Sequence, residues 1–224
     1  MLKEQIEALK ARLIRYARLV ADMIERRVKA FSARQPKVLE EIINRDEPRA
    51  NELELELEEE CVSLIAQFEP KARELRTVLM VLGITNDLER LADHAVNIAE
   101  AAGNILTRTP LRIESEIPRM AGLAIRMVED SIKAFIEEDA ALARQVCRSD
   151  NAVDELADLV RGRLVETMAE TRDPTIIDPS LSVLKISANL ERIADLSTNI
   201  GEDVIFMVEG RVIKHHKQER ESEA

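Results

Sequence analysis

A fifteen-residue segment that occurs twice constrains the fold of this chain more than any other feature. The segment NDLERLADHAVNIAE begins at Asn86, and ANLERIADLSTNIGE begins at Ala188, 102 residues later. Eight of the fifteen positions are identical, whereas unrelated helical segments of this composition would share about one or two. The chain therefore contains a duplicated element, and five of the eight identical residues are polar.

The duplicated segment has the periodicity of an amphipathic helix. At about 100° per residue, the apolar residues of each copy form one stripe that suits a protein core, and acidic and amide residues occupy the opposite face. Two carboxylates four residues apart cost a helix about 0.2 to 0.5 kcal/mol through repulsion, yet both copies keep such a pair. The pairs are Glu89 with Asp93 and Glu191 with Asp195, followed by Asn97 and Asn199 and then by Glu100 and Glu202.

Two interpretations of this polar face are open. Charged residues are mostly exposed, so the face can be a solvated surface that duplication copied. Carboxylate and amide oxygens are also the ligands that hard cations prefer, so the same residues can form metal sites. A looser repeat, RDEPRANELELEL from Arg45 and RSDNAVDELADLV from Arg148, places similar residues on the neighbouring helix. These supplementary candidate ligands are Glu47, Asn51, Asp150 and Asp154.

Helical periodicity extends along most of the chain and is itself repeated. Apolar residues recur at steps of three and four from Ile6 to Phe31, and residues 127–135 align with residues 23–31 at an offset of 104. The three repeats have offsets of 104, 103 and 102 residues, longer than the roughly 34 to 47 residues of small helical repeats. We predict an all-α protein of two tandem, pseudosymmetric three-helix bundles, with the first helix of each unit broken near its end.

Prolines and glycines predict the helix boundaries. Pro36 breaks the first helix and begins a short segment that ends at Asn44, before the next helix opens at Pro48. Asp139 is expected to cap the corresponding short helix of the second unit. The third helix extends from about Lys71 to Leu106, and the last from about Ser180 to Val208, after breaks at Pro174 and Pro179 and before Gly210. The predicted domains are residues 1–108 and 109–212, joined by a linker at 107–116 and followed by a polar, disordered tail at 213–224.

Composition argues against several classes of function. Aromatic residues make up 2% of the chain and the formal net charge is -11, so we expect no nucleic-acid partner. No apolar run approaches the roughly 20 residues that cross a bilayer, and the amino-terminal segment lacks an apolar signal core, so we expect a cytoplasmic protein without membrane insertion. Cys61 continues an apolar stripe and is expected in the core, and Cys147 is expected to be a free thiol.

A di-iron carboxylate enzyme is the main enzymatic alternative, because it also uses carboxylates on long helices. Such enzymes need Glu-x-x-His motifs that face the bundle interior. Alanine, at positions 92 and 194, stands three residues after Glu89 and Glu191. The sequence also has no glycine-rich phosphate loop, zinc spacing or nucleophile motif. We therefore expect a protein without catalytic activity.

Two three-helix units that each carry Leu-Glu-Arg-[Leu/Ile]-Ala-Asp in the third helix resemble the PhoU family of phosphate-uptake regulators. The resemblance extends from the first helix to about Gly210. It implies a cytoplasmic negative regulator of the phosphate-starvation response that contacts the ATPase subunit of a phosphate ABC transporter and a sensor histidine kinase. A metal-free helical adaptor, or an accessory protein of a simpler phosphate transporter, remains an alternative. We also expect a homodimer.

The resemblance also implies a role for the signature carboxylates. Some family members bind multinuclear metal clusters through them and others lack metal, so the expected cofactor is iron, zinc, manganese or magnesium, or none. This chain departs from the family pattern in having Ala92 and Ala194 in place of glycine, and Leu196 where the first copy has His94. Two identical sites are therefore not expected, and we interpret His94 as a hydrogen-bonded structural residue rather than as a ligand.

Overall fold

Six helices account for most of the chain in a computed structural model, which describes residues 1–33, 35–106 and 116–209. Across these described ranges the structure contains helices and no strands, as the sequence predicts. Residues 107–115 of the predicted linker at 107–116, Gly210 and the predicted tail lie outside the described residues, and Glu116, the last predicted linker residue, begins α4. The helices are α1 (Leu2–Ser32), α2 (Pro36–Phe68), α3 (Arg73–Leu106), α4 (Glu116–Glu137), α5 (Ala140–Glu170) and α6 (Pro174–Glu209).

The helices pack as two three-helix units that share one face. Helices α1, α2 and α3 contact one another, and so do α4, α5 and α6. The units meet where α3 packs against α6 and α1 packs against α4. Within the described part of the chain, α2 and α5 contact only helices of their own unit. These two helices therefore form the opposite outer edges of the molecule.

The predicted apolar stripes form the core. Every stripe residue of the duplicated segment is buried in both copies, and the side chain of Cys61 is also fully buried, as predicted. Both cysteines are free thiols, which confirms the expectation for Cys147. The buried stripe residues are Leu88, Leu91, Ala95 and Ile98 in α3 and Leu190, Ile193, Ser197 and Ile200 in α6.

The structure differs from the prediction in how the first break divides the helices. The segment that begins at Pro36 continues through Pro48 and forms one helix of 33 residues, so it belongs to α2 and not to α1. An internal proline removes one backbone hydrogen bond and crowds the preceding turn. Here Asp46 and Ala50, on either side of Pro48, are buried against other parts of the protein. This packing offsets the cost of the proline, because tertiary contacts supply most helix stability.

The second unit shows the same arrangement. The Asp139 carboxylate accepts hydrogen bonds from the backbone N–H groups of Ala141 at 2.8 Å and Leu142 at 3.0 Å. It therefore acts as a cap, as predicted, but the helix that it caps is the whole of α5 rather than a short separate one. The last helix starts at Pro174 and continues through the buried Pro179, so it is longer at its start than predicted.

Arg27 of α1 is an unusual core residue. It is fully buried, and its guanidinium has no hydrogen-bond partner among the described residues. Burial lowers its pKa to about 10, an effect that the nearby Asp46 opposes. The adjacent Arg26 forms ion pairs of 2.7 Å with both Asp22 and Asp46. The equivalent position in the second unit, 104 residues later, is the buried Ser131. Among the described residues, Arg27 is thus a buried cation without a direct hydrogen-bond partner.

Replacing Arg27 with an apolar residue of similar length is expected to stabilise the protein. Arg27→Met removes a desolvated charge and keeps its volume, so the free energy of unfolding should rise by about 1 to 4 kcal/mol. The matched control is Arg26→Met, which leaves the buried Asp46 carboxylate with one partner fewer and should lower stability by about 1 to 3 kcal/mol. Urea denaturation of both variants measures the difference. A destabilised Arg27→Met variant would show that the guanidinium is compensated in the native protein.

Candidate functional site

The predicted polar faces of α3 and α6 lie on the outside of the bundle. Glu89 and Glu191 are half-buried, and Asp93 and Asp195 are exposed. Asn97 is half-buried and Asn199 is exposed. The duplicated carboxylates therefore point away from the core, as their helical periodicity predicts.

In the first unit, α2 adds two carboxylates to the pair on α3. Burial raises the pKa of Glu54, and the charges of Glu89, Glu58 and Asp93 raise it further. Burial also raises the pKa of Glu89, followed by the charge of Asp93 and a hydrogen bond between the two side chains. We call Glu54, Glu58, Glu89 and Asp93 the first acidic cluster. Its negative charges destabilise one another because they share a small, partly desolvated region.

In the second unit, α5 contributes the corresponding carboxylates. Burial and then the charge of Asp154 raise the pKa of both Glu191 and Asp195, and Asp158 adds to the effect on Glu191. We call Asp154, Asp158, Glu191 and Asp195 the second acidic cluster. Each cluster has a nearby arginine that opposes these shifts: Arg90 lowers the pKa of Glu89, and Arg161, which lies 3.8 Å from the Glu191 carboxylate, lowers the pKa of Glu191. Arg161 occupies the position equivalent to Glu58, 103 residues later.

The four supplementary candidate ligands lie at different places relative to the signature carboxylates. Asp154 belongs to the second acidic cluster, whereas Glu47 lies near Arg27, whose pKa its charge raises. Asp150 is half-buried and is not among the charges that shift the pKa of Glu191 or Asp195. Asn51 is exposed on α2. Of the three acidic supplementary residues, only Asp154 is thus among the charges that act on the signature carboxylates.

Sequence reasoning missed Glu54, Glu58 and Asp158. The repeat alignment gave no signal for them, because Glu54 corresponds to Ala157, Glu58 to Arg161 and Asp158 to Leu55. The available signal was the spacing of four residues between carboxylates on α2 and again on α5, which equals the spacing within the signature pairs. This spacing places two carboxylates on one face of a helix, but it does not show which neighbouring helix that face approaches.

The donor chemistry of both clusters suits a hard cation. Each cluster supplies four carboxylates from two helices, which is a typical ligand type for magnesium, manganese or calcium. In the described ranges, however, no group of three or more His, Cys, Asp or Glu side chains converges closely enough to hold an ion. Arg161 forms an ion pair with Glu191 of the second cluster, whereas Arg90 lowers the pKa of Glu89 in the first cluster without such an ion pair among the described residues. The first cluster is therefore the better fit to a cation, provided that its side chains close around it.

A polar groove separates the acidic residues of α6 from α3. It has a volume of about 480 Å³ and is lined by Arg90, Glu191, Arg192 and Asp195, among others. At its wall, His94 Nδ1 lies 2.9 Å from Asn189 Oδ1, which joins the two units by a hydrogen bond. This contact agrees with the interpretation of His94 as a hydrogen-bonded structural residue.

The pseudo-twofold axis relates this contact to a different pair of residues. Asp87 is equivalent to Asn189 and Leu196 is equivalent to His94, each 102 residues apart. In this related pair, Asp87 is therefore matched with Leu196, whose side chain cannot form the hydrogen bond that His94 forms with Asn189. Burial raises its pKa to about 6, although Arg90, at 3.6 Å, opposes the shift. The carboxyl group is neutralised more easily than an exposed aspartate because its charged form is poorly solvated.

Neutralising Asp87 is expected to stabilise the protein in a defined pH range. Its folded pKa of about 6 lies above the ordinary value of 3.8, so the charged form is destabilised on folding. The cost is absent below about pH 4, grows between the two pKa values and is complete above pH 6. Asp87→Asn should therefore be about 3 kcal/mol more stable than wild type at pH 8. Thermal unfolding at pH 3.5 and 8 checks this, and an equal difference at both pH values would contradict it.

Comparison with known proteins gives a consistent result. The family model described as the PhoU domain matches residues 13–102 and 117–204. A protein of Aquifex aeolicus named phosphate-specific transport system accessory protein PhoU homolog is 32% identical over 212 residues, which cover 95% of each chain. A Thermotoga maritima protein with the same description, homolog 2, is 28% identical over 98% of this chain and 92% of its own.

Solved structures support the same fold. The crystal structure of PhoU from Pseudomonas aeruginosa superposes with a TM-score of 0.87 at 28% identity. The match covers 94% of this chain and 100% of the Pseudomonas aeruginosa chain. A phosphate transport system regulatory protein PhoU from Streptococcus pneumoniae has a TM-score of 0.87 at 23% identity. Among the described helices, none combines the length and the apolar character that crossing a membrane requires.

Proposed function

The chain belongs to the PhoU family, and we propose that it is a non-enzymatic accessory protein of a phosphate transport system. In this proposal it works in the cytoplasm as a homodimer and represses both phosphate uptake and the phosphate-starvation response. Its partners are the ATPase subunit of a phosphate ABC transporter and a sensor histidine kinase. The observation that carries the proposal is the pair of acidic clusters on opposite outer edges of a duplicated bundle.

The position of the clusters supports a docking function. The first cluster lies on the hairpin that α2 and α3 form, and the second on the hairpin that α5 and α6 form. Within the described residues, the outer helices α2 and α5 of these hairpins do not contact the other unit. The charge of these surfaces favours partners that carry basic residues, because complementary charge accelerates association and excludes acidic competitors. The relatives' names connect such proteins with phosphate-specific transport.

Cation binding is the second part of the proposal, and it concerns the first acidic cluster above all. Glu89 and Asp93 are held on α3, and Glu54 and Glu58 approach them from α2. A bound divalent or trivalent cation would add to these four carboxylates a counter-charge beyond that of Arg90. The four side chains would then connect the two helices through shared ligands and reduce the mobility of the hairpin surface that partners contact. The second cluster should bind more weakly, since Arg161 competes for Glu191.

Metal content tests the cation proposal. Protein purified without a histidine tag is measured by mass spectrometry after dialysis and after incubation with manganese, iron or zinc. We expect Glu89→Gln/Asp93→Asn to lose most of the bound metal and Glu191→Gln/Asp195→Asn to lose less, because Arg161 partly neutralises the second cluster. The control is Glu25→Gln/Glu129→Gln, two exposed acids at equivalent positions outside both clusters. Wild-type protein that stays empty under all conditions would favour the metal-free adaptor.

The regulatory role needs a separate test. In cells that lack the chromosomal gene, the wild-type protein should repress a phosphate-starvation reporter in phosphate-rich medium. The purified protein should also bind the transporter ATPase subunit, more weakly at 0.5 M than at 0.1 M salt because exposed charges are screened. Repression that requires a transporter other than the ABC type would favour the simpler-transporter alternative. Absence of both repression and ATPase binding would refute the proposal.

A further inference from the structure

Two apolar residues are exposed at equivalent positions in both units. Val62 on α2 and Val165 on α5 are 103 residues apart and are 62% and 53% exposed. Leu79 on α3 and Leu181 on α6 are 102 residues apart and are 50% and 53% exposed. Single exposed apolar residues need no explanation. Here, however, both units expose a valine at one pair of equivalent positions and a leucine at another. This repetition indicates that the two surfaces have the same function.

The two residues of each unit lie at the same level of their hairpin. In the first unit, Cys61 Sγ is 3.8 Å from the backbone oxygen of Val78. Val62 and Leu79 are the next residues along α2 and α3, so they occupy neighbouring positions on the outer side of the hairpin. In the second unit, the residues equivalent to Cys61 and Val78 are Leu164 and Ser180, and both are fully buried. By this equivalence, Val165 is expected to lie beside Leu181. We call each of these an apolar pair.

Each apolar pair shares a surface with the adjacent acidic cluster. Val62 follows Glu58 by one helical turn, about 6 Å along α2. Leu79 precedes Glu89 by ten residues, about 15 Å along α3, and the two side chains are separated by about 80° around the helix. In the second unit Leu181 stands in the same relation to Glu191. On the second helix of each unit, the nearest carboxylate of the cluster is thus one turn from Val62 and two turns from Val165, because Arg161 precedes Val165 by one turn.

This arrangement favours one kind of occupant. No other described helix covers the outer surfaces of α2 and α5. A second copy of the chain, laid face to face, would oppose one acidic cluster with another and would be repelled. A partner with basic residues beside an apolar turn would instead bury the pair and neutralise the cluster. Two neighbouring helices also form a shallow groove that accommodates a third helix.

We propose that the outer surface of each hairpin binds a partner helix, with apolar side chains on the apolar pair and lysine or arginine on the acidic cluster. This inference deepens the docking function proposed above and rests on it. The apolar pairs supply contact area, and the carboxylates orient the helix. Two such surfaces on opposite edges allow one protein to engage two partner helices at once.

A designed peptide tests the chemistry of this surface without any natural partner. The probe is an alanine-based helix of 18 residues, with two leucines in its first two turns and three lysines on the same face in its last two turns. An isomer distributes the same residues around the helix. Fluorescence anisotropy at low salt measures both. Wild-type protein should bind the arranged peptide about tenfold more tightly than the isomer, because only the arranged peptide makes both contacts at once.

The variant Val62→Gln/Leu79→Gln/Val165→Gln/Leu181→Gln should lose this preference and keep the thermal unfolding temperature of wild type. The matched control is Leu159→Gln, because Leu159 is 41% exposed on α5 but lies about 120° around the helix from Val165. An unchanged preference in the quadruple variant would overturn the proposal. Light scattering is measured in parallel, and a loss of self-association without a change in peptide binding would assign the surface to the homodimer instead.

The transporter ATPase subunit then separates this inference from the proposed function. If the quadruple variant binds the ATPase subunit at least tenfold more weakly than wild type, the result supports both the proposed function and the apolar pairs as its contact surface. ATPase binding that the quadruple variant leaves unchanged keeps the proposed function and refutes the apolar pairs as its contact surface. If wild-type protein prefers the arranged peptide but does not bind the ATPase, the surface stands and the proposed partner is incorrect.

Discussion

The packing of α3 against α6 is the contact on which the other features of this protein depend. Each of these helices buries an apolar stripe and contacts both other helices of its own unit as well as the third helix of the other unit. The two copies of the duplicated segment are thereby held next to each other across the pseudo-twofold axis. Because α3 and α6 are central, α2 and α5 become the edges, and the carboxylates of each third helix face outward beside an edge helix.

Duplication preserved this packing and allowed the charged positions to diverge. The hydrogen bond between His94 and Asn189 has no counterpart across the axis, where Asp87 is equivalent to Asn189 and Leu196 to His94. The exchange of Glu58 for Arg161 likewise gives the second acidic cluster a cation. The core of each unit must be closely packed, so the stripe positions stay small or apolar in both copies, although single buried positions such as Arg27 and its equivalent Ser131 differ. A surface charge has no such constraint, and the two edges can therefore acquire different affinities for cations and partners.

Unfavourable electrostatic interactions occur in this structure at the first acidic cluster and at Arg27. The first acidic cluster gathers four carboxylates, and burial and mutual repulsion raise the pKa values of Glu54 and Glu89. Arg27 is buried without a hydrogen-bond partner in the described part of the chain. Such features reduce stability, and proteins that keep them commonly use them for binding. The first cluster lies on the surface, where a cation or a basic partner can neutralise it.

The amino-acid sequence by itself determined the all-α fold, the duplication, the core stripes and the outward direction of Glu89, Asp93, Glu191 and Asp195, because helical periodicity assigns each residue to a face. Local signals also identified Asp139 as a cap. Only the tertiary structure decided that the helices continue through Pro48 and Pro179, since packing on both sides offsets a missing backbone hydrogen bond. It alone decided that Glu54, Glu58 and Asp158 join the clusters and that Glu47 lies near Arg27. The physical reason is that a sequence pattern fixes angles within one helix, whereas the distance between side chains of two helices depends on how those helices pack.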